Sequence, residues 1–437
     1  MSLGGGTFTT QNKALPGAYV NFISAASANA ALSERGIATM PLELDWGISG
    51  EVFEVSSDDL RENSMEIFGY DYTHEKMKGL RDLFLNIRTF YGYRLNGNGT
   101  KASNDYAEAL YSGVRGNDLK IIIQVNADDE TMFDVKTMLD VAVVDEQKVA
   151  KAEDLTANKY VKWKTDAVLE ASAAVPLTGG ANGTVEGAAY QEYLDKMEGY
   201  TFHTMGLTVE DDVTKSLFVS YVKRMRDEIG IKFQLVLFDY AKADYYGAVS
   251  VKNEAAEEEG WGAGSIVYWV TGALAGCEVN KSCQNRVYNG EFKMKADDTQ
   301  NELRKAIAAG EFVFHKVGLD IRVLKDINTM VTVSDTQGDI FKENQTVRII
   351  DQIGNDIAVL FNTKYLGAVP NNNAGRVSLW SDIVKHHREL EQIQAIEGFS
   401  EKDVVVQQGD TKKSVVVSDA ITVTNSMDKL FIVCTVA

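Results

Sequence analysis

Proline is scarce in this chain: only Pro16, Pro41, Pro176 and Pro370 occur in 437 residues, which excludes a proline-rich linker and implies that domains join through short or Gly/Asn connections. Cysteine is scarcer. Cys277, Cys283 and Cys434 form an odd set without CxxC spacing, so neither a disulfide framework nor a zinc site is expected, and a reducing compartment suits the chain. Positive charge is in deficit, with 44 Lys plus Arg against 63 Asp plus Glu and a net charge of −19. No dense basic block offsets it, so direct nucleic-acid binding is not expected, because neutralising phosphates needs a basic face. No apolar run reaches the roughly 18 residues that a membrane helix needs, and "MSLGGGTFTT" lacks the charged and apolar parts of an export signal. No membrane partner is expected.

The remaining composition is ordinary for a globular protein, 45% hydrophobic and 24% charged, and the length suggests about three domains. Residues 1–22 read as an N-terminal arm: three glycines, an extended threonine-rich stretch, then a Pro16-Gly17 turn before "AYVNFIS". From 23 to 96 the rhythm is strand and helix, with Ser57 expected to cap a short helix and "RTFYGYRLN" a closing strand. From 97 to 176 short β-rich runs recur every 10 to 15 residues or so, the spacing of a small β-sandwich.

Alternation resumes at 177–330. A helix follows "LTGGANGT", and a second, over 211–230, places Val213, Leu217, Val222 and Met225 near one face and stops at Gly230. Strand, helix, strand in series predicts a parallel sheet. Thr299 and Glu302 form a capping box, and "EFVFHKVGLDIRVL" reads as a hairpin. Residues 331–425 predict helices near 347–361 and 379–396 and the strands "DVVVQQ" and "KSVVVSDAITVT", and 426–437 a terminal arm strand, "KLFIVCTV". The fold class is therefore mixed α/β: a discontinuous α/β core in which residues before Gly97 fold with those after Pro176, an inserted, outward-facing β-sandwich, a C-terminal α/β subdomain and extended terminal arms.

Chemistry is harder to find. "LTGGANGT" lacks the Lys-Ser/Thr of a P-loop and the GxGxxG of a dinucleotide fingerprint, so it reads as a structural turn between strand and helix. His386 and His387 are neighbours on a predicted helix, about 100° apart, whereas helical metal ligands stand at i and i+4. His74, His203 and His315 stand alone, and no GxSxG occurs. Cys277 and Cys283 read as buried thiols without reactivity. The acidic run "NEAAEEEGW" reads as a solvated face. No catalytic residue, metal ligand or cofactor site is expected.

The last residues pose a different problem. From Leu430 to Ala437 nearly every side chain is apolar or β-branched, so the strand they imply wants burial on both faces, yet the chain stops there without charge or proline.

Stretches spread along the chain, "PGAYVNF" (16–22), "YSGVRGNDLKI" (111–121), "LTGGANGTVEGAAYQEYLDKME" (177–198), "WVTGALAGCEVNKS" (269–282), "GEFVFH" (310–315), "VLKDINTMV" (323–331), "VRIIDQIGND" (347–356) and "SMDKLFIVCTV" (426–436), resemble the contractile phage tail sheath proteins of Gram-positive phages, prophages and phage-tail-like bacteriocins. Asn182 stands where that family often has Asp. The resemblance implies a structural polymer and no enzyme: a helical homopolymer, extended and metastable around a tail tube protein, bounded by baseplate and tail terminator proteins, assembled in the host cytoplasm and carried in the virion. It also implies that both arms leave their own subunit to complete sheets of neighbours. Phe8, Tyr19, Val20 and Phe22 in the N-terminal arm, and Leu430, Phe431, Ile432, Val433 and Val436 in the C-terminal arm, are then the inter-subunit residues. The expected receiving sheet is "DVVVQQ" with "KSVVVSDAITVT". The rival reading is a cytosolic α/β enzyme or ligand-binding protein whose terminal strand packs on its own sheet.

Overall fold

A computed structural model describes residues 32–436. The described residues divide into two units: Thr39–Arg81 with Thr89–Met197, and the rest, comprising residues 32–38, Asp82–Arg88 and residues 198–436. Phe8, Tyr19, Val20 and Phe22 lie outside the described residues.

The first unit contains β1 (Ile37–Leu42, whose first two residues count with the second unit), β2 (Val52–Ser56), α1 (Ser57–Glu62), α2 (Ser64–Phe68), α3 (Lys78–Phe84, whose last turn counts with the second unit) and β3 (Thr89–Arg94), with β2 and β3 antiparallel. Ser56, not Ser57, caps α1: its hydroxyl accepts from the Asp59 amide while the Asp59 carboxylate reaches back, because Ser56 holds the extended backbone a cap requires.

Its β-rich part comprises β4 (Ala107–Ala109), β5 (Leu119–Val125), β6 (Phe133–Leu139), β7 (Ala142–Val149), β8 (Val161–Trp163) and β9 (Ser172–Pro176). The antiparallel order β7-β6-β5-β9 makes one sheet, and the β4-β8 pair lies over its apolar face. Period-two alternation sends Leu119, Ile121 and Ile123 inward against Val135 and Leu139, with Val161, Trp163 and Trp46 closing the core. The "LTGGANGT" loop runs from β9 to α4 (Gly187–Met197) and serves as a brace. The Asn182 amide donates to Asp45 at 2.7 Å and its oxygen accepts from the Val114 amide at 3.1 Å, while Tyr70 donates to Asp45 at 2.6 Å. Gly113 makes this possible: it sits at φ +126°, and a Cβ there would come within 2.0 Å of the Asp45 carbonyl oxygen.

The second unit is built on the order β14-β13-β12-β11-β10: β10 (Thr204–Leu207), β11 (Gln234–Phe238), β12 (Ala248–Val251) and β13 (Glu311–Val317) run parallel, and β14 (Asp320–Lys325) returns antiparallel. Every residue of β10, β11 and β12 is buried, as expected where helices cover both faces of a parallel sheet. The cover includes α5 (Asp212–Lys223) and α6 (Ile266–Gly276), both packed on β11. α6 is apolar nearly all round and correspondingly buried. Val222 on α5 and Met225 just after it face the core, but Val213 is 81% exposed, because it falls in the first turn, where Asp211 caps the helix out toward solvent. The helix continues as a π turn, Arg224–Ile229, and Gly230 ends it at φ +88°. α7 (Gln300–Ala308) carries the expected Thr299/Glu302 box.

Beyond lie α8 (Asn344–Leu360) and α9 (Asn373–Gln392), the latter starting before the expected Leu379 because Asn372 caps it. They pack with two small antiparallel ladders. One joins β15 (Ile396–Glu397) to β18 (Thr422–Val423); the other joins β16 (Val404–Gln408) to β17 (Val415–Asp419). The expected strand "KLFIVCTV" does not form in the single chain, since a strand needs a ladder partner and this segment has none among the described residues.

One buried carboxyl makes a pH prediction. Asp82 is fully buried, accepting from the Glu291 amide at 2.7 Å and the Tyr288 hydroxyl at 3.1 Å. Burial raises its pKa from 3.8 to about 6, and the two hydrogen bonds only partly offset it. The folded state thus holds a proton that the unfolded state has lost, so this group's contribution falls as pH rises from about 4 to about 6 and is level above. Urea unfolding of wild type and Asp82→Asn across that window should show wild type losing stability relative to the variant, and parallel profiles would refute it.

Candidate functional site at the chain ends

The C-terminal segment is held firmly at its root. The Thr424 amide donates to the Ala395 carbonyl at 3.0 Å, Gln345 at the start of α8 donates to the Thr424 carbonyl at 3.2 Å, and its side-chain oxygen accepts from the Ser426 amide at 3.0 Å and hydroxyl at 2.9 Å. Thr346 donates to Asn425 at 3.2 Å. Asp428 then bridges Gln284 at 2.6 Å and Lys325 at 2.8 Å, and the hydrogen bond from Lys325 holds its carboxyl below the usual range. After that the anchoring ends. Leu430, Phe431, Ile432, Val433 and Val436 are 83, 87, 75, 95 and 89% exposed. The sequence expectation that this stretch wants burial thus meets a surface that, among the described residues, offers it none.

The N-terminal side is rooted on α8 as well, and also on α9. The Ser33 hydroxyl donates to Asp356 of α8 at 2.5 Å, Gln352 donates to the Ser33 hydroxyl at 2.6 Å, and the Leu32 amide donates to Glu389 of α9 at 3.3 Å. Arg35 follows, its Nε donating to the Cys277 carbonyl at 2.9 Å; burial lowers its pKa to about 9. A cavity of about 320 Å³ opens beside this root, lined in part by Leu32, Arg35, Val279, Gln352 and Ile393. Helix α8 therefore carries both roots, Gln345 and Thr346 for one end, Gln352 and Asp356 for the other. It is fixed in turn by a buried ion pair: Arg226, on the π turn, donates through both terminal nitrogens to Asp351 at 2.7 and 2.6 Å. Burial works against that guanidinium's charge, and the Asp351 carboxylate outweighs it.

The proposed receiver, β16 with β17, is a two-stranded ladder with free outer edges among the described residues, and Val405, Val416 and Val417 are 41, 53 and 37% exposed on it. Such a ladder is a template for a further strand.

The remaining candidates read as follows. Cys277 and Cys283 are buried, and Cys434 is exposed on the tail. His386 and His387 are both buried, each against a carboxylate, which a helical-spacing argument aimed at metal ligands had no means of finding. Among the described residues no group of three or more His, Cys, Asp or Glu could hold a metal ion, and no helix is long and apolar enough to cross a membrane.

Comparison with known proteins is consistent along the chain. Residues 35–89 match the family "Tail sheath protein Gp18 domain III N-terminal region", 97–182 "Phage tail sheath protein beta-sandwich domain", 183–329 "Phage tail sheath protein central domain" and 336–436 "Phage tail sheath C-terminal domain". The phage-like element PBSX protein XkdK of Bacillus subtilis is 30% identical, with 98% of this chain and 99% of that protein covered. Among solved structures, the sheath tail protein of Desulfitobacterium hafniense is 34% identical at a TM-score of 0.79, covering 90% of this chain and 93% of that one. The anti-feeding prophage helical sheath in its contracted state, 12% identical with 97% and 99% covered, shares the fold at a TM-score of 0.59.

Proposed function

The chain belongs to the phage tail sheath protein family, and from that premise we propose that it polymerises around a tail tube as an extended, metastable helix whose shortening drives the tube through a target envelope, each subunit tethered to its neighbours by strands lent from its two ends. The observation that carries this reading is the contrast within residues 424–436. Residues 424–428 are pinned by a set of hydrogen bonds to α8, Ala395, Gln284 and Lys325, while the apolar side chains from Leu430 to Val436 are left in solvent. A segment held at its base and apolar at its tip suits strand addition to another subunit, where backbone groups supply affinity and alternate side chains fix register. The partner ladder in this reading is β16–β17 of the next copy. Repeated head to tail, such a contact does not close on itself and generates a helix.

The same logic extends to Phe8, Tyr19, Val20 and Phe22 as the N-terminal counterpart, to a tube protein inside the helix, and to baseplate and terminator proteins at its ends. The energy of shortening would lie in subunit packing, so the proposal requires no nucleotide and assigns no enzymatic activity. Cryo-electron microscopy of the protein co-expressed with its tube partner tests it. The expected result is a helical outer layer in which density for residues 430–436 runs onto the β16–β17 ladder of an adjacent subunit; density folded back on its own subunit would overturn the exchange.

A further inference from the structure

His386 and His387 are 2% and 0% exposed, and they touch each other through their Nδ1 atoms at 3.4 Å. Each Nε2 meets a carboxylate: His386 meets Asp356 at 2.9 Å and His387 meets Asp419 at 2.7 Å. Asp356 also accepts from the Ser33 hydroxyl and from Gln352, so it acts as an acceptor throughout. The proton count follows. Each Nε2 must carry a proton to donate to its carboxylate, and the buried contact between the two Nδ1 atoms needs one proton and one lone pair. Three protons on four ring nitrogens satisfy every contact. With two, lone pairs face each other; with four, two N–H groups do, and neither arrangement is tolerable where no solvent enters.

Several other charged groups on the surrounding elements are engaged elsewhere. Glu389 accepts from the Leu32 amide and pairs with Lys385, Glu391 accepts from the Phe399 amide, and Arg388 pairs with Glu401. Asp403 caps its own turn, Glu34 pairs with Arg88, and Asp351 pairs with Arg226. The Phe399 ring covers His387 at 5.2 Å between centroids.

We propose that His386 and His387 form a clasp held by a single shared proton, joining the root of the N-terminal segment, through Asp356 and Ser33, to the strand that leads toward the C-terminal segment, through Asp419, and that gain or loss of one proton opens it. The clasp belongs to the single chain and does not depend on the polymer reading. Only its consequence, that both ends loosen together when it opens, rests on that reading.

The test is ¹⁵N-imidazole NMR of the isolated full chain between pH 5 and 9. Wild type should show a pH range in which one ring of the pair is imidazolium and the other neutral with its proton on Nε2, both signals changing together at the edges of that range. In Asp419→Asn the new amide can donate to His387 Nε2, which moves the His387 proton to Nδ1 and satisfies the whole set with two neutral rings. The variant should therefore lose the imidazolium signal and show the Nδ1–H tautomer at His387. Protection of the Ser33 amide, which donates to Asp356 at 3.4 Å, against hydrogen exchange, corrected for intrinsic rate, should fall about tenfold when wild type leaves the shared-proton range, the scale of one lost hydrogen bond in a charged set, and the variant should lack this step. Wild-type rings that titrate independently, or a variant with wild-type ring signals, would overturn the proposal.

Discussion

A chain ending at Lys429 is expected to fold like the full-length protein and to fail to form tubes. The cut keeps Asp428 and its bonds to Gln284 and Lys325, and removes side chains that are 75 to 95% exposed, so unfolding should shift by no more than about 0.5 kcal/mol, as for other surface changes. Assembly is another matter. Burying the five apolar side chains returns about 8 to 15 kcal/mol, against about 8 to 16 kcal/mol for ordering the backbone, so the bonds of a completed ladder set the sign of the exchange. A milder version, Phe431→Ser, removes about 2 to 3 kcal/mol of burial per contact, roughly 30- to 150-fold in subunit affinity. Sedimentation and electron microscopy with the tube partner read both. A truncated chain that still forms full-length tubes would remove the tail from the contact, and one that unfolds would place the tail within its own fold. Lys325→Ala, which breaks the pairs with both Asp428 and Glu343, is a useful control, because partly exposed ion pairs contribute about 0 to 1 kcal/mol each.

Asp351→Ala is expected to be the most damaging single change to the fold itself. The Arg226 side chain is fully buried and Asp351 nearly so, with two short bonds between them and a third from Arg226 to the Phe233 carbonyl at 2.6 Å. Removing the carboxylate strands a guanidinium in the interior and should lower stability by about 3 to 5 kcal/mol. The pair is nonetheless replaceable: Arg226→Met with Asp351→Leu should recover most of that loss, since the penalty comes from the unpaired charge and not from the absence of an ion pair. Chemical denaturation of the three proteins checks this, and a loss below about 1 kcal/mol in the single variant would show the charge reaching solvent. Because Asp351 sits on α8 between Gln345 and Gln352, the same variant should loosen both chain ends, visible as faster proteolysis near residues 32 and 426.

The local elements were legible because they rest on short-range chemistry. The Thr299/Glu302 box, the stop at Gly230, the hairpin at Gly318 and the alternation in β5 and β6 all follow from neighbours a few residues apart. Two departures from the sequence pattern are equally local: Ser56 holds the cap in place of its neighbour Ser57, and Val213 matches a helical period but falls in a first turn that faces solvent.

By itself the sequence determined the mixed α/β class and the awkwardness of an apolar, uncharged final stretch, because periodicity, capping residues and composition act within a few residues or over the whole chain at once, and the family came from the resemblance of whole stretches. The tertiary structure alone decided that one helix anchors both ends, that Arg226 finds Asp351 125 positions away, and that two histidines judged wrongly spaced for a metal share a buried contact between two carboxylates. Those pairings depend on the direction a side chain takes once its helix is packed, and no spacing along the chain encodes that direction.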